Sequence, residues 1–337
     1  MSFIFRLQPN GVPSLREYTT KATLPSLQYE QYDSILPPPG HVSHQNHLTI
    51  RPEAYRRLEI MHGIPDSVWT NMGVCLDLLL PSTHLRTNSA TGDGLTIPTP
   101  LPKDFPDYLE ARPDHIHRVI PWIDRLPFAT VKRILHLSLP ETSDWAFRPA
   151  AQSHIELDPE LFCYYTWSPR TAPSDPSVAK AMERKRVLVA IQPPWVLTLR
   201  DLEQFADSPS FPPFAVPGND FPSYSSKDRL WAKVWDACVR EKIHFFVLTS
   251  YTHWVFGFFS KGYTQAWVTS VLDFDSKSPT IIEALTYWVA SAMGRPGGIL
   301  PPKVGFEIDP NSIQRPSTAY DLLAYGGAEV IMALCML

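Results

Sequence analysis

The fold is indicated first by residues 244–260, which read HFFVLTSYTHWVFGFFS. Two apolar runs, rich in aromatic residues, flank the polar turn Ser250-Tyr251-Thr252-His253. A short polar segment between two such runs is typical of a β-hairpin. The stretch has no Asp, Glu, Lys or Arg, but it falls short of the roughly 20 apolar residues that a membrane-spanning helix needs. We therefore predict a hairpin in a soluble protein, with no membrane partner.

Upstream of the hairpin, the apolar pattern changes from strand to helix. The runs LFCYYTW at 161–167 and RVLVAIQ at 186–192 predict buried strands, and Pro193-Pro194 ends the second. Residues 226–240 then repeat apolar side chains at helical spacing, which predicts an amphipathic helix. The residues predicted for its buried side are Leu230, Trp231, Val234, Trp235 and Cys238.

Downstream of the hairpin, residues 265–274 predict a further strand. Ser278 and Pro279 then suit the cap and first turn of a helix that ends at Gly294. This helix is apolar nearly all round, so we expect it to be buried between layers. The fold class predicted for the core is α/β (α+β), with a mixed central sheet flanked by helices.

The N-terminal half differs in composition, since it is rich in proline, and its apolar pattern predicts mainly helices. We predict a short strand at 2–7 and helices at 51–64, 67–80 and 124–137. The predicted regions are a Pro-rich irregular arm (1–50), a helical N-terminal region (51–150), an α/β core (151–295) and a Pro-rich C-terminal extension (296–337).

The charge balance argues against a global positive field, since 30 basic and 34 acidic residues give a net charge of −4. One basic run stands out: Lys180, Arg184, Lys185 and Arg186, interrupted by Glu183. We interpret it as a solvated loop or helix end, and a phosphate-binding track is the alternative.

Cysteines and histidines offer few metal or redox motifs. The four cysteines lie far apart without a CxxC pair, which fits a reducing, intracellular location in the cytoplasm or nucleus. Histidines at three-residue spacing (His41, His44 and His47) follow a glycine and have no interleaved carboxylate, so a polar loop is favoured over a metal site. Asp114, His115 and His117 form an H-x-H cluster, but no further ligand is in view, so surface or capping roles are favoured over a metal site.

The order of these elements resembles the core of the PD-(D/E)XK nuclease superfamily, particularly its restriction-type members. The resemblance rests on two strands, a helix, a run ending in Val247-Leu248-Thr249, the polar turn, and Trp254-Val255-Phe256. In that family a Pro-Asp opens one strand and a Glu-x-Lys lies on the next. The chain is also similar to uncharacterised fungal proteins whose central strand likewise ends in Pro-Pro-Trp, here at 193–195. The resemblance implies a restriction-endonuclease-like core.

The resemblance also implies where a catalytic site would lie. Pro159-Glu160 corresponds to the family's Pro-Asp, and Ala190-Ile191-Gln192 corresponds to Glu-x-Lys. In the family, two carboxylates hold Mg²⁺ and the lysine orients the attacking water. Here Glu160 is the remaining candidate metal ligand and Gln192 could hold a water, but Ala190 occupies the position of the lost acid. The nearest candidates for a replacement are Glu156, Asp158 and Glu203.

One carboxylate is a poor magnesium site, so the resemblance implies a catalytically degenerate nuclease-fold protein without a cofactor. Such a protein would act by binding a protein or nucleic-acid partner. Two alternatives stay open. One is an active Mg²⁺-dependent nuclease (a phosphodiesterase) with a displaced carboxylate, and the other is a structural or interaction protein of unrelated α/β fold.

Overall fold

The computed structural model describes residues 14–27, 48, 56–80, 115–150, 161–171, 174–212, 224–305 and 307. Its strands, in chain order, are β1 (Ile60–Gly63), β2 (Trp145–Pro149), β3 (Cys163–Pro169), β4 (Val187–Ile191), β5 (Phe245–Thr249), β6 (His253–Phe259), β7 (Gln265–Val268) and β8 (Leu272–Asp273). They form one sheet of 8 strands in the order β1-β7-β6-β5-β4-β3-β2, and β8 pairs with β6.

The described α-helices are α1 (Leu15–Lys21), α2 (Val68–Leu79), α3 (Ile116–Ile123), α4 (Ala129–Ser138), α5 (Pro176–Glu183), α6 (Leu199–Ala206), α7 (Ser226–Glu241) and α8 (Ile281–Ala292). A π-helical turn, Asp124–Phe128, joins α3 to α4. Pro127 lies inside that turn and has no N–H to donate, so a widened turn is a natural way to accommodate it. No helix of these described segments is long and apolar enough to cross a membrane.

The sheet is mixed, as the sequence predicts. The pairs β4–β5 and β1–β7 are parallel, and the other neighbours are antiparallel. The hairpin at 244–260 is confirmed, with Phe246 opposite Gly257 in the β5–β6 ladder. The predicted strands at 161–167 and 186–192 are confirmed as β3 and β4.

Helices cover both faces of the sheet because both faces are apolar. On β4, Val187, Val189 and Ile191 face the side of α1–α4 and α8, whereas Leu188 and Ala190 face α6 and α7. The buried side predicted for α7 is confirmed, since its apolar side chains are fully buried and Trp231 meets the ring of Phe246 edge-on. The opposite side differs from the amphipathic pattern, because Lys233 is buried as well. The result is a layered arrangement of helices, sheet and helices.

The predicted burial of the last helix is also confirmed, because every residue of α8 is buried. The sheet lies on one side of α8, and α1, α2 and α4 pack on the other. Arg16 of α1 fixes this arrangement by bonding Asp77 of α2 at 2.7 Å and Glu283 of α8 at 2.5 Å. The helix begins later than predicted, because the capping residue is Thr280 rather than Ser278.

The helix predicted at 51–64 is wrong over its described part. Residues 60–63 form β1, an edge strand in which Ile60 pairs with Gln265 of β7. Its other edge is hydrogen-bonded to residues 209–211, for example from the Met61 N–H to the Pro209 carbonyl at 3.0 Å. These tertiary bonds outweigh a weak helical pattern, and Ile64 before Pro65 disfavours helix as well. The N-terminal region is therefore not purely helical, since β1 and β2 form the two edges of the sheet.

The strand predicted at 265–274 is divided by a bulge. Val268 of β7 lies opposite Gly257, but Leu272 of β8 lies opposite Trp254, so the register shifts by one residue between them. At the bulge between β7 and β8, the Thr269 hydroxyl accepts a hydrogen bond from the Phe256 N–H at 3.1 Å, which stabilises the bulge.

Two helices on the Pro-rich connections are absent from the prediction. Asp175 caps α5 and Pro176 occupies its first turn, and the helix ends at Glu183, so the basic run lies at a helix end. Helix α6 begins with a capping box between Thr198 and Asp201. The helix predicted at 67–80 is confirmed as α2, and the one at 124–137 as the π-helical turn with α4. The strand predicted at 2–7 lies outside the described residues.

Candidate functional site

The position that corresponds to the family's acid lies in the middle of the sheet. Ala190 on β4 pairs with Tyr164 of β3 on one side and with Leu248 of β5 on the other. Its side chain is 0% exposed and belongs to the apolar layer beneath α7. Ala190 therefore contributes no ligand oxygen, and solvent does not reach it.

Gln192 follows the last residue of β4. Its N–H donates to the carbonyl of Thr249 at 3.0 Å, which places it beside the end of β5. Gln192 is also 0% exposed, so any water held by its amide would be an internal one. The Pro193 carbonyl accepts hydrogen bonds from Val196 and Leu197, and this turn leads into α6.

Glu160 lies outside the described residues, as do Glu156 and Asp158. The convergence of Glu160 with Ala190 and Gln192 therefore stays a prediction. Glu203 is described, on the exposed side of α6. Its charge acts on His253, at the start of β6.

Beside Gln192, the turn between β5 and β6 carries a chain of polar side chains. The Ser250 hydroxyl lies 3.0 Å from the Thr252 hydroxyl, which lies 3.0 Å from Nδ1 of His253. On the far side of the ring, Nε2 is 3.4 Å from a carboxylate oxygen of Asp273. Because a carboxylate only accepts, the proton of the neutral ring belongs on Nε2, and Nδ1 accepts from Thr252.

A hydroxyl, an imidazole and a carboxylate in this order resemble a nucleophilic triad, but here they close the turn. The turn's own N–H groups are consumed locally, from Ser250 to the His253 carbonyl and from Tyr251 to the Thr249 hydroxyl. A triad also needs free donors for the developing oxyanion. Tyr251 is fully buried at φ 71, and its hydroxyl donates to the Pro25 carbonyl at 2.7 Å. This row of hydrogen-bonded side chains therefore anchors the hairpin.

The electrostatics of this turn make it sensitive to acid. Burial lowers the pKa of His253, although the charges of Asp273 and Glu203 oppose the effect. Burial likewise lowers the pKa of His136, whose Nε2 lies 2.9 Å from the Trp145 carbonyl. Burial thus favours the neutral form of both rings.

We expect the free energy of unfolding to fall as the pH drops below about 6.5, the ordinary histidine pKa. The folded-state pKa of His253 is lowered, so its contribution is complete above the unfolded value and is lost as the pH falls through the folded one. Urea unfolding of the wild type and of His253→Gln between neutral pH and acid checks this. The free energy of unfolding of the variant should fall less steeply with decreasing pH than that of the wild type. Parallel pH dependences of the two proteins would contradict the expectation.

Of the two histidine clusters, the structure describes the pair His115 and His117. His115 caps α3, its Nδ1 accepting from the His117 N–H at 3.3 Å, and the two rings stack with centroids 4.9 Å apart. The predicted capping role is thus confirmed. The cluster of His41, His44 and His47 lies outside the described residues.

Glu307 is a polar group that the sequence did not single out. Its carboxylate accepts hydrogen bonds from the Ser260 hydroxyl at 2.5 Å, from the Gly262 N–H at 3.1 Å and from the Thr264 hydroxyl. Burial raises the pKa of Glu307, but these donors outweigh it and lower the pKa overall. These bonds attach the C-terminal extension to the loop between β6 and β7. The partners are 43 to 47 positions apart in the sequence, and no local pattern indicates such a contact.

Among the residues whose structure is described, no group of three or more His, Cys, Asp and Glu side chains could hold a metal ion. The remaining acids that the resemblance singles out, at 156–160, lie outside this set. No known protein family, curated protein or solved structure matches the chain.

Proposed function

We propose that this chain acts by binding a partner, as a catalytically degenerate relative of the PD-(D/E)XK nucleases. The observation that carries the proposal is the burial of Ala190 between Tyr164 and Leu248. In-line hydrolysis of a phosphodiester needs a cation fixed at the developing charge, and that cation needs oxygen ligands that the substrate can approach. A methyl group inside a dry layer meets neither need.

The order of the elements supports the proposed relationship. Strands β3 and β4 are adjacent, α7 follows them, and the hairpin β5–β6 comes next, with a polar turn before an aromatic residue. The neutral amide of Gln192 supports the loss of activity as well. It has replaced the lysine of the family pattern, and its burial keeps it from bulk water.

The expected result is that the purified protein cuts neither DNA nor RNA. Labelled single-stranded and duplex substrates, incubated with Mg²⁺ or Mn²⁺ and resolved on denaturing gels, should stay intact. The matched controls are EDTA and the variants Glu160→Ala and Glu203→Ala. Cleavage that is abolished by EDTA and by either variant would sink the proposal in favour of a nuclease with a displaced carboxylate.

The variant Ala190→Glu with Gln192→Lys provides the converse test. It restores the family's charged pair, but at positions that are both fully buried. Burying a carboxylate beside apolar groups is costly, so we expect a loss of stability before any gain of metal binding. Full stability combined with tight Mg²⁺ binding would show that the position is open, against the proposal.

A further inference from the structure

The connection from β3 to β4, residues 170–186, carries four exposed cations. They are Arg170, Lys180, Arg184 and Lys185. In the part of the chain that the structure describes, none of them has a carboxylate within ion-pair distance. We call the described residues 170–171 and 174–186 the basic connection. It leaves the sheet after Pro169 and returns at Val187, so its cations gather at the end of the sheet where β4 begins.

Other charges in this region already have structural partners. Arg186 donates to the Glu183 carbonyl at 3.3 Å and also bonds the carbonyl of Glu241. Lys242 lies 3.7 Å from the Glu183 carboxylate. Asp175 is used as the cap of α5. The carboxylate of Asp144 accepts a hydrogen bond from the Thr171 N–H at 3.1 Å. These acids partly offset the positive field, but among the described residues none of them lies within ion-pair distance of the four exposed cations.

Cations from neighbouring elements add to this positive field. Arg148 on the edge strand β2 donates to the Arg170 carbonyl at 3.0 Å, which brings its guanidinium to the start of the connection. Besides burial, the charges of Lys132, Arg170 and Arg133 lower the pKa of His136. Lys132 and Arg133 of α4 and Arg170 of the basic connection therefore all lie near His136, beside the edge strand β2. A local positive surface exists on a chain whose net charge is −4.

We propose that the basic connection binds the phosphate backbone of a nucleic acid. Long, exposed Lys and Arg side chains suit a line of phosphates, and their attraction is sequence-independent. Residues 170–186 contain no aromatic side chain, so the basic connection itself offers no base stacking. Helix α5 exposes only Val178 on its apolar side, too little for insertion into a lipid surface.

This nucleic-acid partner is the partner of the proposed binding function, and its assignment rests on that function. The basic connection is nevertheless a different surface from the one at Ala190 and Gln192. Those residues lie in and just beyond β4, whereas the basic connection precedes the strand. Four phosphate contacts predict a slope of log K against log salt of about −3.6 on duplex DNA. That slope corresponds to about a hundredfold weaker binding between roughly 50 and 200 mM salt.

The test is fluorescence anisotropy of the full chain with labelled duplex DNA, duplex RNA and a single strand over that salt range. Arg184→Gln with Lys185→Gln should weaken binding about tenfold at low salt and flatten the slope by about two. The matched control is Arg200→Gln with Lys277→Gln, two exposed cations beyond the opposite ends of the strands. It should leave both values unchanged, and circular dichroism should show both variants folded.

Each other outcome counts against the inference. Absence of binding to all three nucleic acids at low salt, or equal weakening by the control pair, overturns it. The DNA and RNA arms identify which backbone is bound. The two proposals can fail separately. If the protein cleaves nucleic acid but also binds it with the expected salt dependence, only the proposed loss of catalysis is refuted, and the assignment of the basic connection stands.

Discussion

Replacing Trp235 with alanine is expected to lower the free energy of unfolding by about 3–5 kcal/mol. Trp235 is 0% exposed on the side of α7 that faces the sheet. Its Nε1 donates to the Tyr263 carbonyl at 2.9 Å, so truncation leaves both a cavity and a buried acceptor that has lost this donor. Urea unfolding followed by far-UV circular dichroism measures the change.

Two matched variants separate the causes. Trp235→Phe keeps most of the apolar volume but loses the hydrogen bond, so its cost should be clearly smaller than that of alanine. Val178→Ala removes an apolar side chain that is 40% exposed, and we expect a change within about 0.5 kcal/mol. An unfolding midpoint for Trp235→Ala that coincides with the wild type would mean that the packing of α7 is wrong.

The central part of the fold was predictable because its signals are local and strong. The runs at 161–167, 186–192 and 244–260 are apolar enough to be strands in almost any context, and the polar turn divides the last into a hairpin. The phase of α7 followed from the spacing of its tryptophans. These elements owe their structure to their own composition.

The periphery depended on contacts that the sequence does not display. Strand β1 exists because its edges meet β7 and residues 209–211, both far away along the chain. Helices α5 and α6 are different, since Asp175-Pro176 and the Thr198–Asp201 pair are local capping signals within Pro-rich segments. Those two helices could have been predicted from their caps.

The candidate site shows what an alternating pattern leaves undecided. Alternation predicts that Ala190 and Gln192 share one face of a strand at 186–192, but it does not say whether that face is open to solvent. Both faces of this strand are covered, so the side chain at 190 lies beneath α7 rather than in a cleft. Exposure is a tertiary property, and for this site it matters more than the identity of any single ligand.

Gly257→Val is expected to be severely destabilising, by roughly 3 kcal/mol or more, because it overpacks the centre of the sheet. A Cβ at this position would lie 2.2 Å from Cζ of Phe246, the residue directly opposite on β5. The ring cannot move away easily. Its centroid is 5.1 Å from that of Phe259 and 5.9 Å from that of Trp231. Thermal and urea unfolding should both show the loss.

A second substitution distinguishes overpacking from other effects of losing a glycine. Phe246→Leu in the Gly257→Val background should recover part of the stability, although Phe246→Leu alone destabilises the wild type. Gly73→Ala is the matched control for glycine replacement, since nothing lies within 4 Å of its added Cβ and it sits inside α2. It should stabilise the protein by about 0.5–1 kcal/mol, as expected for alanine in a helix. Additive effects of the two substitutions at 246 and 257 would contradict the clash, because a shared steric conflict must appear as coupling between them.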